Sequence, residues 1–227
     1  MFSPEELSII WLSVKVATLS TLLTIPIALY LSWILARKNI KGKSIIEAIF
    51  TLPLVAPPVV TGYVLLLLLG QNGILGNWLY EVFGISLVFN FSALIIASIV
   101  VSLPLAMRTI RSAFELIDTG YEKASISLGA SKISTFFRIS LPLAMPGIIS
   151  GMVLSFARSL GEFGATITLA GNIIGKTQTI SLSIYSNMQV PGQEMQVFRL
   201  VAISPLISLL AMILSEYFIK KKQYLNR

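Results

Sequence analysis

The sequence predicts an all-α membrane protein: a polytopic bundle of about five transmembrane helices, with the N-terminus outside and the C-terminus cytoplasmic. Three observations carry this. First, 55% of the 227 residues are hydrophobic and only 12% are charged, against about 25% charged in a soluble domain. The mean hydropathy is +0.84. Second, the apolar residues arrive in blocks. Residues 7–36 contain one charge, Lys15, and residues 48–70 and 83–107 contain none; a helix needs about 20 residues to cross the hydrocarbon layer. Third, the basic residues gather in alternate connections, as expected of cytoplasmic segments.

Five spans follow in order, at about 8–36, 45–69, 86–110, 142–165 and 197–219. The first enters behind Glu5 and Glu6 and leaves into Arg37, Lys38, Lys41 and Lys43. Lys15, about two turns in, can snorkel outward and is given no function. The second contains Pro57-Pro58, which must bend or interrupt it because each proline removes a backbone donor. The freed carbonyls need partners from neighbouring helices or water, so the break is either a plain kink or part of a pathway. The third span leads into a long cytoplasmic segment, 111–141, with Arg111, Lys123, Lys132 and Arg138. The fifth runs into Lys220, Lys221, Lys222 and Arg227, with Glu216 and Lys220 as a solvated i,i+4 anchor and no further domain expected.

Most of the 17 basic residues thus lie on one side, while the other side carries Glu5, Glu6, Glu81 and Glu194 against Lys176. The opening residues lack a basic leader, so no cleavable signal peptide is expected. Residues 163–196, rich in Gly, Thr, Ser and Asn, are either an external loop or a partly re-entrant segment. No internal repeat appears, and residues 1–227 read as one membrane domain.

Composition also removes function classes. The chain has no cysteine and no histidine, which rules out disulfides, thiol chemistry and histidine acid–base catalysis, and no metal site or cofactor is expected. The net charge of +7 sits beside membrane segments, so nucleic acid is not an expected partner. With no intramembrane Asp, no constellation remains for an intramembrane enzyme. The run from Gly171 to Gly175-Lys176-Thr177, after a strand-like 165–169, is similar to a phosphate-binding loop. It has three residues between the first glycine and the Gly-Lys pair where four are required. ATP-driven work by this chain would therefore need a separate ATPase.

Within 111–141, Asp118 or Thr119 can cap a short helix with Glu122 in its first turn. Gly129 can end that helix through a left-handed turn. A second short helix with Ile133, Phe136 and Phe137 leads toward Pro142. Two short helices hinged at a glycine make a protrusion, and small residues such as Ala124, Ser125 and Ala130 let a partner pack closely. An ordinary amphipathic connector at the interface is the alternative.

The spacing of Ala124, Gly129, Ile139 and Leu141-Pro142 resembles the EAA signature of binding-protein-dependent ABC importer permeases, EAA-x3-G-x9-I-x-L-P. The chain departs from it at Lys123, where the signature has Glu, and at Ser125, where it has the second Ala; Glu122 stands one position early. The runs 52–63 (LPLVAPPVVTGY), 70–73 (GQNG), 156–166 (FARSLGEFGAT), 170–173 (AGNI) and 177–185 are similar to molybdate permeases of that family. The resemblance covers nearly the whole chain.

It implies a type I ABC importer permease fold in the plasma or inner membrane. It also implies a homodimer, two copies of a cytoplasmic ABC ATPase subunit and an external oxyanion-binding protein as partners. The ATPase-coupling residues it implies are Glu122, Lys123, Ala124, Ser125, Leu128, Gly129, Ala130 and Ser131. Thr61, Arg158, Gly161 and Glu162 are candidates for the pathway or gate. Arg158 and Glu162 are four apart and share a helical face, so they either line a path where an arginine meets an oxyanion or neutralise each other between helices. Gly161 and Gly164 permit a constriction or simply close packing. The implied substrate is molybdate, with tungstate or sulfate as alternatives. An ATP-independent channel or secondary transporter would show paired broken helices or titratable carboxylates, and Glu162 with Arg158 beside it is a poor fit to either.

Overall fold

The computed structural model describes residues 2–38 and 41–225, with side chains described as far as Tyr217; the expected Glu216–Lys220 pair and the charges of the basic tail lie outside the described side chains. The helices run in order α1 (Pro4–Arg37), α2 (Lys43–Val55), α3 (Pro58–Leu69), α4 (Ile74–Phe83), α5 (Phe91–Glu115), α6 (Thr119–Ser127) and α7 (Lys132–Thr135). A π-helical turn (Phe136–Ser140) then leads into α8 (Leu141–Leu160), followed by α9 (Gly164–Leu169), α10 (Ile180–Asn187) and α11 (Glu194–Leu225). Among the described residues, four continuous helical stretches are long and apolar enough to cross a membrane: Pro4–Arg37, Phe91–Glu115, Lys132–Leu160 and Glu194–Tyr217. A fifth crossing arises if α2 and α3, bent by 111° at their junction, count as one span.

That bend is far sharper than a kink, and its cause is local. Pro57 caps α3 in an extended conformation and Pro58 takes its first turn, where the missing N–H costs nothing. Ala56, the residue before a proline, is also extended (ψ 146°), as the ring of Pro57 requires.

The core is a three-helix packing in which α1, α5 and α8 each contact the other two. In lipid, apolar contact with a neighbouring helix gains little over contact with acyl chains, so close approach of small residues and interhelical hydrogen bonds must hold helices together. The chain supplies both. Ser20 of α1 donates to Ser159 of α8 at 3.1 Å, Thr24 meets Ser102 of α5 at 3.5 Å, and Ser32 donates to the Met107 carbonyl at 2.9 Å. Gly147 and Gly151 of α8 sit directly on α5, where an added Cβ would lie 2.2 Å from the Ala113 methyl and 3.0 Å from Ile110. Ala17, Ala28, Ala97, Ala106 and Ala144 are fully buried in the same packing.

The two ends of α1 are each held by an ion pair. At its start, Glu6 is fully buried. It closes a capping box with Ser3 and pairs with Arg199 of α11 through Nε and Nη2, both at 2.8 Å. At its finish, Arg37 pairs with Glu122 of α6. Near the same end, Arg111 of α5 bonds both Glu47 of α2, at 2.6 Å, and Glu115, at 2.7 Å. Lys15 lies over the Phe91 ring, 4.9 Å from its centroid, so this cation is partly covered by an aromatic face of α5.

Residues 163–196 are neither a plain external loop nor one continuous helix. Helix α9 is buried against α3 and α5, and α10 docks against α1, where the Ile180 N–H donates to Ser13 Oγ at 2.8 Å. The strand-like reading of 165–169 is corrected here: its threonines and isoleucine sit in α9, where Thr166 and Thr168 donate back to carbonyls of the preceding turn.

Removing Arg199 leaves Glu6 buried with its charge unpaired. Arg199→Gln is expected to cost about 2 kcal/mol, below the range for a fully buried pair because Arg199 is partly exposed. A lowered thermal midpoint of the detergent-solubilised protein, with Arg199→Lys between the two, is the outcome that checks it.

Candidate functional site

Two regions carry the residues picked out in the sequence, and they lie in different parts of the bundle. The first is the protrusion between α5 and α8. Asp118 caps α6, accepting from the Gly120 N–H at 2.8 Å. The helix ends at Leu128, after which Gly129 takes φ +88°, a left-handed conformation open to glycine with little strain. The Ala130 N–H bonds back to the Ser125 carbonyl at 3.1 Å. Ser131 caps α7 through the Ser134 N–H, and Ser125 and Thr135 share a hydroxyl hydrogen bond of 3.0 Å across the hinge.

The second half of the protrusion is not a separate short helix as expected. It runs through the π-helical turn straight into α8, giving one helical stretch from Lys132 to Leu160. The Leu141 N–H reaches the Phe136 carbonyl, one residue further back than in an α-helix. Pro142 follows at once; a wider turn of this kind relieves the clash that a proline ring makes with a carbonyl in the preceding turn.

The outer surface of the protrusion is uncovered and strongly apolar for an exposed segment. Leu128 is 89% exposed, Ile133 72% and Tyr121 61%, while Lys123, Ala124, Gly129 and Ser131 are also exposed. Ser125 and Ala130 are half-buried at the hinge. Glu122 differs from its neighbours by facing inward. Its Oε1 accepts from Arg37 Nε at 3.0 Å and from Ser140 Oγ at 2.6 Å, which ties α6, α1 and the π turn together. Beneath it, Phe136 packs edge-on against Trp33 of α1 at 5.3 Å and beside Phe114 of α5 at 6.3 Å. Arg37 counted in the sequence only as one of a basic group and Ser140 not at all; a cation at the end of a span gives no sign of its partner 85 residues away.

The second region is the far end of α8. Arg158 and Glu162 form the expected pair, Nη1 to Oε2 at 2.5 Å, with Glu162 buried and Arg158 partly exposed. Glu162 does a second job with its other oxygen: Oε1 accepts from the Ala165 N–H at 2.7 Å and so caps the start of α9, where a carboxylate is favoured. Gly161 ends α8 and is exposed. Thr61 and Gly62 are the buried residues of α3, and Gly62 sits against α9. A Cβ on Gly62 would lie 1.8 Å from Thr168 Oγ1 and 2.7 Å from the Ala165 Cα, while one on Gly164 would lie 2.7 Å from Pro58. Of the four candidate pathway residues, Arg158 and Glu162 are brought together, with Glu162 capping α9, while Thr61 is buried in α3 next to Gly62, which packs on α9.

The glycine-rich run at 171–177 forms no phosphate cradle. Thr177 is fully buried. Its hydroxyl accepts from the Ile173 N–H and donates to the Gly171 carbonyl, at 3.0 and 3.1 Å, so the loop closes on itself. No cluster of acids capable of holding a metal ion occurs among the described residues.

With this geometry in view, comparison with known proteins places the chain closely. Residues 25–224 match the family described as binding-protein-dependent transport system inner membrane component. The molybdenum transport system permease protein ModB of Haemophilus influenzae is 50% identical over 218 residues, covering 96% of this chain and 95% of that protein. Its counterpart in Escherichia coli K12 is 43% identical over 217 residues, with the same coverage. Among solved structures, inward-facing MetNI methionine ABC transporter aligns with a TM-score of 0.73 at 14% identity, covering 97% of this chain and 99% of that one. A bacterial ABC transporter for alginate import aligns at 0.72 and 17% identity, covering 100% and 82%. At such identities these structures speak for the fold alone, and the fold is that of an ABC importer permease.

The contact between α3 and α9 has no room for a methyl group. Gly62→Ala is expected to destabilise the protein by about 2 kcal/mol, the usual scale for overpacking against backbone, and to lower its yield in the membrane. Gly84→Ala, where space is open but φ is positive, is the comparison, with a smaller loss expected in the same thermal assay.

Proposed function

Because the chain belongs to the binding-protein-dependent transport system inner membrane components, we propose that it is the permease subunit of an ATP-driven molybdate importer. The observation that carries the docking half of this reading is the protrusion. It is a two-helix projection with exposed apolar side chains at Tyr121, Leu128 and Ile133, at the end of the bundle rich in basic residues. The substrate half rests on the likeness to relatives named for molybdenum transport over nearly the whole chain.

In this reading the basic end is cytoplasmic, in keeping with the bias of Lys and Arg in short loops, and α1 begins outside. Two copies of the chain surround a central path, and a cytoplasmic ABC ATPase subunit docks on each protrusion through the exposed faces of Lys123, Ala124, Leu128, Gly129, Ala130 and Ser131, with Ser125 setting the hinge. Glu122 belongs to the same unit but acts from within. An external oxyanion-binding protein delivers its cargo at the opposite end. Closure of the ATPase pair on ATP pulls the protrusions together, opens the path outward and admits the anion; hydrolysis resets it. The pathway candidates are Thr61, Arg158, Gly161 and Glu162, of which the Arg158–Glu162 pair caps α9, a short buried helix. Movement of α8 at that point shifts α9 with it.

Tungstate shares the tetrahedral dianion chemistry of molybdate, and sulfate is a smaller member of the same class, so competition separates them. In proteoliposomes holding the chain, its ATPase and its binding protein, labelled molybdate uptake is expected to require ATP, to be blocked by excess tungstate and to be insensitive to sulfate. Sulfate-blocked uptake would move the substrate, and uptake indifferent to ATP would overturn the reading. Gly129→Val tests the hinge. No atom lies within 4 Å of the added Cβ, so any effect comes from the positive φ, a backbone state that costs a β-branched residue on the order of 1–3 kcal/mol. ATP hydrolysis is expected to continue while uptake falls at least tenfold.

A further inference from the structure

Glu122 lies in the segment proposed to dock the ATPase, yet its carboxylate faces the opposite way and is occupied within the subunit. We propose that Arg37 is the positioning residue that locks the docking protrusion to α1, so that α1 acts as the strut carrying the protrusion's movement to the far end of the bundle. This rests on the permease reading and deepens it, by naming the route that couples the docking surface to the path.

Four contacts converge on this point. Arg37 donates from Nε to Glu122 Oε1 at 3.0 Å and from Nη2 to the Ile117 carbonyl at 3.1 Å. One planar guanidinium therefore holds both α6 and the chain entering it, a geometry that lysine's single ammonium does not reproduce. The side chains of Arg37 and Glu122 are only 12% and 18% exposed, so their hydrogen bonds are little diluted by water. Ser140 donates to the same carboxylate oxygen at 2.6 Å, which brings the π turn at the root of α8 into the lock. One turn earlier on α1, Trp33 packs edge-on against Phe136 of that π turn. Polar and aromatic contacts on one face of α1 thus grip both halves of the protrusion.

At its other end α1 is equally fixed. Glu6 is buried against Arg199 of α11, and Ser13 caps α10. The two clamps lie near the ends of one 34-residue helix, about 50 Å long at 1.5 Å per residue. A displacement of the protrusion cannot leave α1 behind without breaking the Arg37 contacts, and α1 cannot shift without carrying α10 and α11. The alternative is that the pair merely holds a local fold, and the two make different predictions for coupling.

The test uses the complete transporter in proteoliposomes, with uptake per ATP hydrolysed as the readout. Arg37→Gln is expected to lower that ratio about tenfold, the scale of losing hydrogen bonds to a charged group, in complexes that still contain the ATPase. Arg37→Lys is expected to recover part of it. Ser140→Ala, which leaves the Arg37–Glu122 ion pair in place, is expected to lower it about threefold, the scale of a single lost hydrogen bond. A second readout needs no transport. The chain has no cysteine of its own, so a spin label at Leu128→Cys reports on the protrusion alone, and Arg37→Gln is expected to make it more mobile. An unchanged ratio in assembled Arg37→Gln and Ser140→Ala complexes overturns the proposal, as does a label equally mobile in both backgrounds. If the unmodified transporter moves no oxyanion, the permease reading fails instead, and label mobility still decides the lock.

Discussion

Everything in this structure depends on holding helices together where apolar contact is worth little, because lipid is as apolar as leucine. The chain meets that constraint with small residues and hydroxyl groups in its centre and with charged pairs at its ends. The Ser20–Ser159, Thr24–Ser102 and Ser32–Met107 contacts bring α1, α5 and α8 close along their length, and the glycines of α8 remove the bulk that would keep them apart. At the membrane faces, where water begins to compete, single hydroxyl bonds no longer suffice. There the bundle uses Glu6–Arg199 at one end and Arg37–Glu122 with Arg111–Glu47 at the other.

The same division explains how the molecule can be stiff and still move. The α1–α5–α8 core is closely packed along its length, which suits a body that rotates as one. The regions that break helical regularity lie around it: the 111° bend between α2 and α3, the left-handed turn at Gly129, the π turn at 136–140 and the short helix α9 between α8 and α10. Each sits beside a group of candidate functional residues. Irregular backbone inside a membrane is tolerated only where neighbours satisfy it, and α9 is a case in point, with its start capped by Glu162 and its face closed by Gly62 and Gly164.

Much of this was legible in the residues. Hydropathy and charge alone located the long helices, and the dipeptide Pro57-Pro58 announced the interruption of the second. Asp118, Glu122 and Gly129 marked the first helix of the protrusion and its left-handed end, and the four-residue spacing of Arg158 and Glu162 gave their pairing. What stayed hidden was set by distance along the chain. Glu6 and Arg199 are 193 positions apart, and nothing local distinguishes them from solvated charges at helix ends. The inward turn of Glu122 was hidden for the same reason. The π turn was hidden because α- and π-helical turns place their apolar residues alike over so short a stretch. The β-branched run at 165–169 read as a strand because the propensity of Thr and Ile reflects packing on a sheet. Where the described residues form no sheet, helix is the conformation that satisfies its backbone.

Coupling in this molecule depends on the ATPase binding at the protrusion at the basic end. Site-directed photo-cross-linking in native membranes tests it most directly, with a benzophenone attached to Leu128→Cys on the protrusion or to Ile174→Cys at the opposite end. Both native residues are at least 80% exposed, so reach is equal. A cross-link is expected from position 128 to the ATPase subunit and none from position 174. A cross-link to the ATPase from 174, with none from 128, would reverse the orientation and contradict docking at the protrusion.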